Sequence, residues 1–317
     1  MAANFSSFAE DTLRTLGQSS PLSFLAPAYG ALFEGRGEWD VFMAGGFFFT
    51  TAAFWGMSLF FLAVDLTGQP AFLLRYKMQP GQNEPLKVAD LRRGLGKVLF
   101  NSVVLNVLLT ALVFPLFRRI SGPLNRPLPD LAEILLHLVV FVAVEEVGFY
   151  YSHRLFHQPF FYKRFHKIHH EWTAPIALTA VYAHPLEHVV ANLIPVAAGP
   201  VLMGSHLVTL WLWFTLALMS TCYHHSGFHF PFTLASEFHD YHHLKFSNNF
   251  GLLGILDWIH GTDTHFRASP QFKNHRVFFS LTPISEITST TKDIQSSKAK
   301  KGMAPPRHAS DEPGKTE

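Results

Sequence analysis

The apolar positions of this chain gather in long uncharged blocks rather than in the three-to-four-residue rhythm of a surface helix. Val41 to Val64 (VFMAGGFFFTTAAFWGMSLFFLAV) holds no charge over 24 residues, enough to cross a hydrocarbon core about 30 Å thick. Val98 to Phe117 is a second uncharged span of 20 residues, closed by Arg118 and Arg119. Leu131 to Tyr151 reads as a third, interrupted by Glu133, His137, Glu145 and Glu146. From Val189 to Cys222 the chain is apolar again but broken near Gly199, Pro200, Gly204 and Ser205, which predicts two shorter helices in a hairpin.

The pattern predicts an all-α integral membrane protein with about four transmembrane or hairpin helices. Residues 1–40 form an N-terminal segment whose apolar piece, Pro21 to Phe33, is too short to span and reads as interfacial. Residues 41–130 carry spans and loops, 131–285 a histidine-rich unit, and 286–317 a tail that is polar and aperiodic from Thr291 onward, the mark of disorder. No Lys or Arg precedes Arg14, so the basic start of a cleaved signal peptide is missing and the first span is expected to stay as an anchor.

Charge orients the spans. The loop over 66–97 contains Arg75, Lys77, Lys87, Arg92, Arg93 and Lys97, against Arg118, Arg119 and Arg126 in the next loop. Three single crossings put the basic loop on the same side as the segment after Tyr151, with Arg154, Lys163, Arg164 and Lys167, and the positive-inside rule makes that side cytosolic. A charged fraction of 15% and a mean hydropathy of +0.16 agree with membrane residence. A net charge of +2 gives no sign of a nucleic-acid partner. The single cysteine, Cys222, excludes an intrachain disulfide and any metal site built on cysteine.

Histidine carries the chemistry. Of 19 histidines, 14 fall between His153 and His243. Ten stand in four clusters: His153 and His157 in HRLFH; His166, His169 and His170 in HKIHH; His225 and His229 in HSGFH; His239, His242 and His243 in HDYHH. Residues three or four apart share a helix face, so each cluster can aim its imidazoles at one centre. Ten nitrogens exceed the need of one tetrahedral ion and fit two ions of higher coordination number, and imidazole suits iron, zinc, copper and nickel alike. Isolated histidines such as His137, His206, His260 and His275 read as hydrogen-bonded structure. Glu146 and Tyr150 share the face of His153 and His157, which makes both candidate catalytic residues, Glu146 as the partner of a ligating imidazole. Glu145 lies about 100° round the helix and reads as the partner of a basic residue. All four clusters can meet only if the hairpin returns to the face from which it started.

These boxes, with the flanking EEVGFYYSHR, YKRFHKIHHEWTAPIALTAVYAHPLE and NNFGLLGILDWIHGTD, resemble the fatty acid hydroxylase and sterol desaturase superfamily, close to the sterol C4-methyl oxidases, over roughly residues 131–266. The resemblance implies a catalytic domain with a dinuclear iron site on the cytosolic face of the endoplasmic reticulum. It implies O2 and NAD(P)H as co-substrates, with electrons arriving through cytochrome b5 and its reductase. All ten clustered histidines become ligands, although the sterol-acting relatives tend to carry Asp at the position of His229. His184, in AHPLE, resembles a position kept in those relatives and is expected to support a ligand or line the pocket. No HPGG-type haem sequence is present, so the electron donor is expected to be a separate partner.

The implied substrate is a lipid entering from the bilayer, a sterol methyl group first, with acyl or alkyl-ether hydroxylation or desaturation as the alternative. A zinc hydrolase would want a general-base Glu in an HExxH context, which is absent. A metal transporter would set its ligands near the midplane, whereas here they lie beyond the span ends. A catalytically silent regulatory membrane protein would keep the same boxes.

Overall fold

The computed structural model describes residues 23–288, so the tail from Thr291 lies outside the described residues. The described residues form helices with no β-strand beyond one isolated bridge. Among the described residues, four helices are long and apolar enough to cross a membrane: α1 (Glu38–Thr67), α2 (Val88–Ser121), and, after α3 (Leu131–Phe156), α4 (Pro185–Leu202) and α5 (Leu207–His224). The two expected N-terminal spans and the hairpin are therefore present. The apolar piece expected at the interface is a short helical stretch over 23–31, anchored where the Tyr29 hydroxyl donates to the Leu124 carbonyl.

Two sets of contacts fix the ends of the bundle. At one end Glu38 meets Arg118 and accepts from the Leu124 amide at 2.9 Å, while Arg126 reaches the Gly204 carbonyl at 3.1 Å and Glu133 at 3.7 Å. That end thus gathers the start of α1, the end of α2, the start of α3 and the α4–α5 turn. At the other end lie the histidine boxes and the 68–87 loop, whose Gln79 donates to Asp240 at 2.9 Å and to the Thr173 carbonyl at 3.0 Å. All five helices run between these two ends, α3 included, and the hairpin returns to the histidine end as its central break predicted.

Close helix contacts need small residues. A Cβ at Gly45 of α1 would stand 2.1 Å from the Trp211 ring of α5, and one at Gly199 of α4 would stand 2.8 Å from the Phe141 backbone of α3. Large side chains such as Phe48, Phe60, Leu108, Leu112, Leu136 and Val139 instead face outward. Such an apolar exterior is stable against hydrocarbon, where only internally bonded helices or closed barrels survive. Helices α2 and α4 each contain a π-helical turn, at Phe100–Leu105 and His188–Leu193, a form that recurs at functional sites.

Beyond α3 the chain forms the cap: a 3₁₀ turn (His166–Glu171), then, after the hairpin, α6 (Glu237–Lys245) and α7 (Ile255–His260). Only the first and last boxes are α-helical. The second sits in the 3₁₀ turn, and in the third α5 stops at His225. Gly227, at φ +80°, then turns the chain, and Phe228 bridges Lys77 while the His229 amide donates to the Tyr76 carbonyl at 2.9 Å.

Candidate metal centre

Nine of the ten clustered histidines assemble into two groups. His153, His157, His166, His170 and His242 form one; His169, His225, His239 and His243 form the other. In each, one nitrogen per residue lies within 4.8 Å of all the others. The groups abut, with the His170 and His243 rings 5.0 Å apart.

His229 stands outside both. The turn at Gly227 ends the helix that would have put it on the face of His225, and its Nδ1 instead pairs with the buried Glu237 carboxylate at 2.7 Å. The expectation that all ten converge is corrected to nine.

The backbone sets the tautomers. Nδ1–H of His153 donates to the Phe250 carbonyl at 2.8 Å, that of His242 to Asn248 at 2.6 Å, that of His169 to Tyr182 at 3.1 Å and that of His243 to Trp172 at 3.1 Å. His225 donates to the Thr221 carbonyl at 2.8 Å, and His166 to the Glu187 carboxylate at 2.7 Å. A carbonyl can only accept, so the five Nδ1 atoms that meet carbonyls carry the protons and those neutral rings present bare Nε2 lone pairs. The Nε2 atoms of His153 and His166 face each other at 3.2 Å. A cation among the nitrogens would take up the lone pairs, and outer partners that fix the ring and raise its basicity are what ligating histidines require. The donor set fits two nitrogen-ligated ions.

Burial keeps the ligands neutral. It lowers His169 to about 4 and His242 to about 3. Burial first, and then the neighbouring imidazoles, hold His166, His170, His239 and His243 well below the ordinary imidazole range.

Glu146 does not meet an imidazole. Its buried carboxylate accepts from the Leu252, Leu253 and Leu256 amides at 3.0, 2.8 and 3.3 Å, fastening the loop that presents Asn248 and Phe250 to His242 and His153. It therefore acts through the backbone, one step further from the ligands than expected. Asp257 holds the same loop through the Phe250 and Gly251 amides. Tyr150 sits beside it, its hydroxyl 3.2 Å from Thr262 Oγ1 and accepting from Arg154 at 3.0 Å, so the expected site role is not where its contacts lie. His184 caps the first turn of α4 by accepting from the Leu186 amide at 3.1 Å and packs on Phe165, which leaves neither a ligand nor the cavity within its contacts.

A cavity of about 170 Å³ opens beneath both groups, with His153, His166, His169, His225 and His239 in its roof. Its walls come from α1 to α5 and are mainly apolar. Glu145, expected to pair with a basic residue, lines it instead, as do His188, His224 and His275. A second cavity of about 100 Å³ continues between the helices, sharing Thr50, Asn106, Leu193 and Phe214 with the first.

Glu187 and Phe250 were not legible as site residues because each acts through one hydrogen bond to a histidine distant in sequence, and Asn248 because it acts through its backbone carbonyl, which no side-chain motif marks.

Comparison with known proteins identifies the family of the chain. A family model described as fatty acid hydroxylase matches residues 138–262. Human fatty acid hydroxylase domain-containing protein 2 is 46% identical over 254 residues, covering 80% of this chain and 76% of that protein. Fatty acid hydroxylase ahd1 of Mycosarcoma maydis is 38% identical over 210 residues, 66% of this chain and 54% of that one. Methylsterol monooxygenase 2-2 of Arabidopsis thaliana is 31% identical over 265 residues, 80% of this chain and 97% of that one. No solved structure matches.

Proposed function

Because the chain belongs to the fatty acid hydroxylase family, we propose that it is a membrane-bound oxygenase that holds two iron ions and oxidises a sterol-class lipid, 4-methylsterols first among the candidates. The observation that carries this reading is the convergence of bare Nε2 atoms in two adjoining groups directly above an apolar cavity between membrane helices. His153, His157, His166, His170 and His242 would hold one ion, and His169, His225, His239 and His243 the other. Bound redox metals supply the activation of O2 that no side chain can perform.

The chain's own residues do the rest. The mainly apolar walls select an apolar substrate and keep bulk water from the reacting carbon. The carbonyls of Asn248, Phe250, Tyr182 and Trp172 hold the imidazoles in register before any ligand arrives. In the overall reaction a lipid C–H and O2 become C–OH and water, consuming two electrons and two protons. NAD(P)H would supply the electrons through cytochrome b5 and its reductase. The basic loop at the histidine end favours a cytosolic cap on the endoplasmic reticulum membrane.

The sterol reading rests on the relative named a methylsterol monooxygenase, aligned over nearly its whole length. The relative named a fatty acid hydroxylase supports acyl oxidation as the second reading. The test is incubation of the purified protein under ¹⁸O2 with cytochrome b5, its reductase and NADH. A 4-methylsterol should gain one ¹⁸O atom. Label found only in acyl chains would transfer the assignment to the second reading, and label in no lipid would refute the oxygenase.

A further inference from the structure

We propose that Asn101 recognises a hydroxyl group on the lipid substrate, accepting its hydrogen bond beside the carbon that is oxidised; this rests on the oxygenase reading above and specifies its substrate. Asn101 stands in the π-helical turn of α2 and is only 1% exposed. Its Nδ2 donates to the Val181 carbonyl at 2.8 Å and to the Ala183 carbonyl at 3.0 Å. Both amide hydrogens are thereby used, and the amide orientation is fixed, because a flipped group would set its oxygen against two carbonyl oxygens.

The Oδ1 atom is left as a buried acceptor without a partner, on a residue that lines the cavity. Two more oxygens on lining residues also lack a partner, Ser102 Oγ, which can donate as well as accept, and Glu187 Oε2, His166 taking only Oε1. Asn101 Oδ1 can only accept. A fatty-acid carboxylate or a phosphate would bring oxygen against oxygen at Oδ1, whereas a hydroxyl brings the hydrogen that this atom lacks.

Placement ties the hydroxyl to the chemistry. The two carbonyls held by Asn101 flank Tyr182, whose own carbonyl fixes His169 of the second group. A hydroxyl on Oδ1 therefore docks close to the ligands, and the apolar remainder of the lipid has the second cavity ahead of it, past the pair in which Asn106 donates to Thr50 at 2.8 Å.

The test is equilibrium binding to the metal-loaded protein in nanodiscs, by competition against a radiolabelled sterol. It compares a 4,4-dimethyl-3-hydroxysterol with its 3-deoxy analogue. Leaving a buried acceptor unpaired should weaken the deoxy ligand about 10-fold or more. Asn101→Leu should erase that preference at unchanged metal content. Equal binding of the two ligands by the wild type overturns the proposal, and so does a preference that survives in Asn101→Leu. Should Asn101→Leu lose its metal, the wild-type comparison decides alone, since it needs no variant. A wild type that prefers the hydroxyl ligand yet oxidises no sterol would count against the sterol assignment and leave hydroxyl recognition at Asn101 standing. Sterol oxidation without hydroxyl preference would do the reverse.

Discussion

Removing the Glu146 carboxylate should loosen the metal centre without touching a ligand. Its oxygens accept three backbone amides, from Leu252, Leu253 and Leu256, and Glu146 itself is buried. A hydrogen bond to a charged group contributes about 1.5–3 kcal/mol. Three of them, discounted for loop relaxation and for water reaching the freed amides, make Glu146→Ala destabilising by about 3–5 kcal/mol. Glu146→Gln keeps one oxygen able to serve Leu252 and Leu253, so its cost should fall to about 1–2 kcal/mol. The same loop carries the carbonyls that hold His242 and His153, so metal affinity should drop about 10-fold in the Ala variant, the low end for loss of a ligand's supporting contact. Thermal unfolding in detergent, followed by tryptophan fluorescence, reads the first effect, and titration with a competing chelator reads the second. Wild-type melting and wild-type metal retention in Glu146→Ala would refute the argument that this carboxylate organises the loop.

Two further outcomes are expected. Glycosylation acceptor sites inserted at Arg154 and Lys245 should both stay unmodified, while one placed just before Trp39, at the opposite end of the bundle, should be modified; modification at either cap position reverses the orientation argued from the basic loop. Ala191→Phe should fill the cavity at a buried wall position, cutting lipid oxidation at least 10-fold while metal content stays at the wild-type level; full activity would mean that the substrate lies elsewhere.

Hydrophobic blocks were a dependable guide to the fold because a bilayer demands long uncharged helices, and α1, α2 and the α4–α5 hairpin lie where the blocks lie. The boxes also marked residues that the fold brings together, since nine of the ten clustered histidines meet. Spacing failed where it assumed a helix. His225 and His229 are four apart, but the turn at Gly227 and the bridge from Phe228 to Lys77 send them to different partners. Glu146 was expected to be buried and to partner an imidazole; it is buried, but its partners are backbone amides more than 100 residues away, a pairing no local periodicity encodes. The polar lining at Asn101 was hidden for a related reason: it lies inside a span read only as uncharged, and the fold alone shows that its oxygen is unpartnered.

The central claim is that two adjoining nitrogen sets each hold an ion, and metal stoichiometry on single-site variants tests it most directly. Inductively coupled plasma mass spectrometry on the purified wild type should give about two ions per chain, iron in active preparations and zinc where recombinant expression favours it. His153→Ala, within the first group, and His239→Ala, within the second, should each fall toward one ion, while His229→Ala should keep two. A wild type with one ion or none, or a loss in His229→Ala equal to that in His239→Ala, would contradict the account.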